Sequence, residues 1–238
     1  MEKKKRAILI GAGEIEDGGL AFSEKNKAVE VGISFSKKDT AAEAGEIREA
    51  DLIIALDGGL LYCEEKGIRP DYIIGDFDSL PAERQSLLEK YPEECILRLP
   101  KEKDDTDMLA AIKFAIEKGI RNFVIYGGLG GRLSHTIANL QCLMYLKQRG
   151  MNGLLLGQDT KAFLLQNEEV TFEEGHSGYI SVFAYSEKAE AVTLKGLKYE
   201  LEDAELTAAF PLGVSNEFVG KEAIIGVRNG IVLIVMDR

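Results

Sequence analysis

Two short acidic segments carry the residues of this chain best suited to chemistry. Gly75-Asp76-Phe77-Asp78-Ser79 follows directly on the apolar run Tyr72-Ile73-Ile74, and Lys103-Asp104-Asp105-Thr106-Asp107 answers it downstream. Carboxylates delivered by two segments can hold Mg2+ beside nucleotide phosphates, because hard cations take oxygen ligands in preference to sulfur or imidazole. Asp76 and Asp78 are two apart and would share a face of an extended backbone. In a loop just after a strand they can approach one cation, with Ser79 donating to a phosphate or capping the next turn. The same residues also make an ordinary solvated turn. Asp104 and Asp107 stand one helical turn apart around Thr106, and crowding them costs like-charge repulsion unless water, a cation or a base screens it. Lys101 and Lys103 could screen them or meet a polyphosphate directly. The plainer reading of this second segment is an acidic helix start favoured by the helix dipole.

Three glycine-containing turns could support such a site. Asp57-Gly58-Gly59 follows the apolar run Leu52–Leu56; two missing side chains permit close backbone approach to a nucleotide, and Asp57 can accept from a hydroxyl or orient a hydrated cation. Gly127-Gly128-Leu129-Gly130-Gly131-Arg132-Leu133-Ser134-His135 is permissive backbone ahead of a helix, where amides and Arg132 can bind anionic oxygens. It is not a P-loop, since the Gly-Lys-Ser/Thr ending is absent. His135 can bond a phosphate, orient an acid or serve local packing. Asn139, four residues on and therefore on the same helix face, can contact nucleotide or hold the loop. Gly11-Ala12-Gly13 lacks the complete dinucleotide fingerprint and is at least as readily a turn.

The elements that position these residues alternate from Arg6 to about Gly150. Ala7–Ile10, Leu52–Leu56, Tyr72–Ile74 and Phe123–Tyr126 each end in Gly or Asp, which describes a parallel sheet with its loops gathered at one edge. The spacing of Met108, Leu109, Ile112, Ala115 and Ile116 predicts a helix over 108–117, capped by Thr106 or Asp105 and ended by Gly119. A second helix is expected over 135–148 with Ile137, Leu140 and Met144 facing inward. Beyond Gln158 the pattern becomes short extended runs between turn residues, favouring an antiparallel sandwich or barrel. The expected plan is an α/β domain over 1–157, with a mostly parallel sheet flanked by helices, and a smaller C-terminal antiparallel β-sandwich over 158–238.

Composition narrows the function classes. With 238 residues and 45% hydrophobic content the chain can bury a substantial core. A net charge of −11 argues against a nucleic-acid surface, which needs clustered Lys and Arg. No stretch approaches the roughly 18 apolar residues of a membrane span, and no secretory leader is evident, so a cytoplasmic location is expected. Cys63, Cys95 and Cys142 are odd in number and widely spaced, which suits reduced thiols.

The ordered set Asp57-Gly58-Gly59, Gly75 to Ser79, Lys103 to Asp107, Gly127 to Arg132 with His135-Thr136 and Asn139, and Ser215-Asn216-Glu217 resembles thiamine pyrophosphokinase over nearly the whole chain. The resemblance implies a two-domain homodimer whose C-terminal β-sandwich helps form the thiamine site across the subunit interface. It implies transfer of pyrophosphate from ATP to the primary alcohol of thiamine, with Asp76, Asp78 and Asp104 as Mg2+ ligands, Asp107 and Arg132 in the catalytic set, and AMP as the leaving group. The implied ATP-binding set is Asp57, Gly58, Gly59, Ser79, Lys103, Thr106, Arg132, His135 and Asn139. Ser215 and Asn216 would read thiamine's amine and ring nitrogen, although polar turns use the same residues. Tyr199 or Phe218 could wall the substrate ring or fill the sandwich core. One departure stands out: Ser134 occupies a position where the family usually has Asp, which removes a negative charge. Two alternatives follow, a pyrophosphokinase for another heteroaromatic alcohol such as a pterin, and a catalytically weakened nucleotide- or thiamine-binding protein.

Overall fold

The computed structural model describes residues 6–13, 15, 21–22, 32–33, 42–43, 46–47, 51–78 and 80–237. It divides into two compact units, one of Met1–Gly19, Ile47–Leu146 and Gly153–Gln158, the other of Leu20–Glu46, Lys147–Asn152 and Asp159–Arg238.

The first unit is built on β1 (Arg6–Ile10), β2 (Asp51–Leu56), β3 (Tyr72–Gly75), β4 (Ile96–Arg98), β5 (Asn122–Tyr126) and β6 (Asn152–Leu156), in the order β6-β5-β1-β2-β3-β4. The pairs from β5 through β4 are parallel, with registers Arg6↔Asp51, Arg6↔Asn122, Ile54↔Tyr72 and Gly75↔Arg98. Every residue of β1 and β2 is buried, which is why these strands read as continuous apolar runs instead of alternating ones. The chain steps outward from β1 to β4 and then returns to the other side of β1 with β5. That reversal is the switch point at whose carboxyl edge open α/β sheets bind ligands.

Helices α1 (Gly59–Glu65), α2 (Asp107–Glu117) and α3 (Leu133–Lys147) accompany this sheet. α2 matches its expectation closely. Thr106 Oγ1 accepts from Leu109 N at 3.2 Å, and Met108, Ala111, Ile112 and Ala115 are buried. The helix ends at Gly119, in the left-handed region (φ 86°), whose N–H bonds Ile116 O at 2.8 Å. α3 differs from its expectation: Ile137 is 49% exposed, and the buried stripe runs through Cys142, Leu143 and Leu146. Apolar residues occur on several sides of this helix, so spacing alone does not select the stripe.

The second unit is antiparallel. β7 (Thr160–Gln166), β8 (Glu169–Phe172), β9 (Tyr179–Ala184), β10 (Lys188–Lys195), β11 (Leu201–Thr207), β12 (Gly213–Glu217), β13 (Ala223–Gly226) and β14 (Ile231–Asp237) form two groups, β12-β9-β14-β7 and β8-β13-β10-β11. Phe163, Phe172, Ile180, Val182, Val192, Leu194, Ile225 and Ile234 are buried. β11 escaped the sequence reading because Leu201-Glu202-Asp203-Ala204-Glu205-Leu206-Thr207 buries only Leu206 and shows no apolar alternation.

Cys63 and Cys142 are buried and Cys95 is half-buried, all as free thiols. Burial pushes the Cys63 thiol up to about 12 and Cys142 up to about 11, which keeps both in the unreactive form. Among the described residues no helix is long and apolar enough to cross a membrane.

At the start of β1 and β2, Arg6 Nε and Nη2 bond Asp51 Oδ1 and Oδ2 at 3.0 and 2.6 Å. With Asp51 only 4% and Arg6 only 8% exposed, removing one partner breaks a buried ion pair. Asp51→Ala is expected to cost about 3–5 kcal/mol in a urea titration.

Candidate active site

β2, β3 and α2 each deliver an acid to the carboxyl edge of the parallel sheet. Asp57 leaves β2 with φ 44°, its N–H bonded to Ile74 O at 3.2 Å, and its Oδ1 accepts from Phe77 N at 3.1 Å. Asp76 leaves β3, and its Oδ1 accepts from Asp78 N at 3.0 Å. Asp107 opens α2. Lys103 joins the last two: its Nζ stands 2.8 Å from Asp107 Oδ1 and 3.9 Å from Asp76 Oδ2.

Asp57, Asp76 and Lys103 all depart from their ordinary ionisation here. Burial pushes the Asp57 carboxyl from its ordinary 3.8 up to about 7; the Phe77 amide opposes the shift, and Asp107 and Asp76 reinforce it. Asp76 is held below the usual range, chiefly by the Asp78 amide, against burial and with help from Lys103 and Lys101. Burial works against the Lys103 ammonium, yet Asp107, Asp76 and Asp57 together hold its pKa above the ordinary value.

The remaining expected residues fall into distinct surroundings. Asp78 and Asp104 are exposed, and among the described residues no group of three or more Asp, Glu, His or Cys side chains is gathered closely enough to hold a metal ion. The residues nevertheless suit a divalent cation. Asp107 Oδ1 is buried with no hydrogen-bond donor aligned on it, Lys103 being an ion-pair neighbour, and the acids around it offer the oxygen donors that Mg2+ prefers. Thr106 caps α2, and Asp105 pairs with Lys113 at 2.7 Å. Ser79 lies outside the described residues. Gly58 is the N-cap of α1, and a side chain on Gly59 would fall 2.0 Å from Ile10 O, so Gly59 serves close packing on β1.

The glycine and arginine segment is held from two sides. Asn139 Nδ2 donates to Gly128 O at 2.7 Å, which is the loop-holding alternative for this residue. Gly127, with φ 64°, meets the turn after β1, where Gly13 N donates to its carbonyl at 3.1 Å; a side chain on Gly13 would stand 2.4 Å from that oxygen. Gly11-Ala12-Gly13 is thus a backbone contact partner of the second loop. Beyond it Gly130, Gly131, Arg132, Ser134 and His135 are all exposed.

In the second unit Asn216 is 3% exposed and clamps a neighbouring segment: its Oδ1 accepts from Tyr199 N at 2.9 Å and its Nδ2 donates to Tyr199 O at 2.6 Å. Ser215 has φ 54°, and its N–H bonds Ser181 Oγ at 3.1 Å. Phe218 is buried against Phe172 and His176, whereas Tyr199 is exposed. The sequence reading missed the left-handed conformation of Phe77 and the dependence of Asp57 on Gly75; the only signal for either was a glycine set directly before an acid.

Residues 45–155 match the family described as "Thiamin pyrophosphokinase, catalytic domain", and residues 167–232 match "Thiamin pyrophosphokinase, vitamin B1 binding domain". The chain belongs to the thiamine pyrophosphokinase family. It is 29% identical over 192 residues to thiamine pyrophosphokinase of Bacillus subtilis (strain 168), covering 80% of this chain and 89% of the relative. Its fold is similar to the crystal structure of thiamine pyrophosphokinase from Bacillus subtilis, with TM-score 0.79, 24% identity and coverage of 98% and 99% of the two chains. It is similar also to thiamin pyrophosphokinase from Candida albicans, with TM-score 0.71, 15% identity and coverage of 98% and 89%. Two separate thiamine pyrophosphokinase matches therefore fall on the two parts of the chain in which the acidic cluster and the Asn216 clamp lie.

Asp57→Asn keeps the acceptor for Phe77 N–H and removes the buried charge. Because the folded pKa of Asp57 is raised, the wild-type protein loses stability as pH climbs from about 4 to about 7. The charged groups facing it are Asp76, Asp107 and Lys103. In metal-free buffer the variant is expected to melt a few degrees above wild type at pH 8, roughly 1 kcal/mol, with the difference vanishing below about pH 4. Thermal melts across that range check it.

Proposed function

We propose that this chain is a Mg2+-dependent thiamine diphosphokinase that transfers the pyrophosphoryl group of ATP to the primary alcohol of thiamine, giving thiamine diphosphate and AMP. The observation that carries this reading is the cluster of Asp57, Asp76 and Asp107 around Lys103, at the sheet edge of a thiamine pyrophosphokinase fold. In the proposed reaction the thiamine hydroxyl oxygen bonds to the β-phosphorus, the bond from that phosphorus to the α-phosphate oxygen breaks, AMP departs, and the hydroxyl proton passes to a base or water.

Asp76, Asp78 and Asp104 are the proposed holders of Mg2+, with Asp107 beside them. Bound there, the ion would neutralise charge on the phosphate oxygens. Lys103 has a raised pKa and keeps its charge through neutrality, so it suits both screening the acids and meeting the migrating diphosphate. Arg132 is exposed on a glycine loop and can swing onto phosphate as a bidentate clamp. Asp57, Gly58, Gly59, Ser79, Thr106, His135 and Asn139 belong to the proposed ATP surroundings, either as contacts or, for Asn139, by holding the loop. Residues 1–157 are the proposed catalytic and ATP-binding domain, and 158–238 the proposed thiamine-binding domain with Ser215 and Asn216. A cytoplasmic homodimer with the thiamine site near the subunit interface completes the proposal.

Purified protein incubated with ATP, Mg2+ and thiamine should yield thiamine diphosphate and AMP in equal amounts by mass spectrometry. Thiamine monophosphate with ADP would reject the transfer chemistry, and substrate binding without AMP would favour a weakened binding protein, for which Ser134 is the specific motive. Asp76→Asn and Asp104→Asn should each lower kcat by about 100-fold or more with little change in melting temperature. Normal turnover in both would sink the assigned cation site.

A further inference from the structure

The turn bearing Asp76 and Asp78 is bent against the preference of its own central residue. Phe77 sits in the left-handed region at φ 62°, although its side chain is 5% exposed and large. Such backbone is disfavoured for any residue with a Cβ. The ring is covered by Arg98, whose guanidinium carbon lies 5.3 Å from the ring centroid, but this contact does not reach the backbone. The group that does is Asp57, whose Oδ1 receives Phe77 N–H at 3.1 Å. Its own backbone is fixed by the bond to Ile74 O on the strand that leads into the turn. Gly75 provides the space: a Cβ there would stand 1.9 Å from Asp57 Oδ1 and 2.6 Å from its Cγ. Gly75 is not in the left-handed region, so the backbone itself would accept another residue.

We propose that Asp57 is a positioning residue: its carboxylate holds Phe77 in the left-handed turn that presents Asp76 and Asp78, and Gly75 is required because it leaves that carboxylate its place. The inference rests on reading the Asp76–Asp78 turn as the cation and nucleotide site of a diphosphokinase. It assigns to Asp57 a bond within the protein, where direct contact with the cation or ATP is the competing role.

The test uses the full chain as wild type, Asp57→Asn, Asp57→Ala, Gly75→Ala and the Asp57→Ala/Gly75→Ala double variant. Amide hydrogen exchange at Phe77 is read without metal, alongside kcat and KM for Mg-ATP. Asp57→Ala should speed Phe77 exchange by about tenfold or more and lower kcat by roughly 100-fold through misplaced carboxylates, with KM changed by less than about threefold. Asp57→Asn should keep the Phe77 amide protected, because its side-chain oxygen accepts the same bond, and should retain at least about ten times the kcat of Asp57→Ala. Gly75→Ala should reproduce Asp57→Ala in both readouts yet add less than about threefold in the Asp57→Ala background, since the atoms it displaces are then gone. Unchanged Phe77 exchange in Asp57→Ala overturns the proposal, as do additive losses in the double variant. An Asp57→Asn defect equal to Asp57→Ala and expressed in KM also overturns it and assigns Asp57 to direct contact. Should wild type form no thiamine diphosphate, the diphosphokinase reading fails, while Phe77 exchange and the Gly75 coupling in melting temperature still decide the role of Asp57.

Discussion

Asp57, Asp76 and Asp107 are held near one another around Lys103, and this juxtaposition of like charges constrains the rest of the first unit. Asp107 and Asp76 add to burial in raising the Asp57 carboxyl, so the scaffold must hold the three acids together against their repulsion. It does so with fully buried strands. β1 and β2 expose none of their residues, and the carboxyl ends of β2 and β3 carry Asp57 and Asp76 with little freedom to move apart. α2 contributes Asp107 in its first turn, where the helix dipole favours an anion, and the Thr106 cap fixes the position at which the helix begins. Lys103 is the compensating charge, four residues before Asp107 in the segment that leads into α2 and held charged against its own desolvation.

Much of this was legible in the sequence where one physical rule acted alone. Buried parallel strands appear as unbroken apolar runs, and α2 shows its stripe, its cap and its terminal glycine because each follows from local chemistry. The acidic motifs were visible as residue types at the ends of strands. Their pairing was not, since the proximity of Asp57 to Asp76 depends on the register of β2 against β3, which no local pattern encodes. Ile137 illustrates the opposite difficulty: helix periodicity is present, but too many apolar positions compete for the inner face. β11 was hidden because a strand with one buried side chain leaves no alternation to detect.

The second unit shows how one residue type serves either recognition or construction. Asn216 has the donor and acceptor atoms that would read a heteroaromatic ring, and both are engaged with the backbone of Tyr199. The side-chain amide acts there as a short piece of strand, and it leaves the Tyr199 ring exposed. Sequence alone offered the polar-turn and the substrate-contact readings equally, because hydrogen-bonding capacity does not reveal its partner.

The contact between Gly13 and Gly127 carries a consequence of its own. Two loops that touch through carbonyl and amide, with no side chain between them, can lie this close only while both positions lack a Cβ. Enlarging either glycine would therefore pry the loop that leads to the arginine away from the end of the first strand.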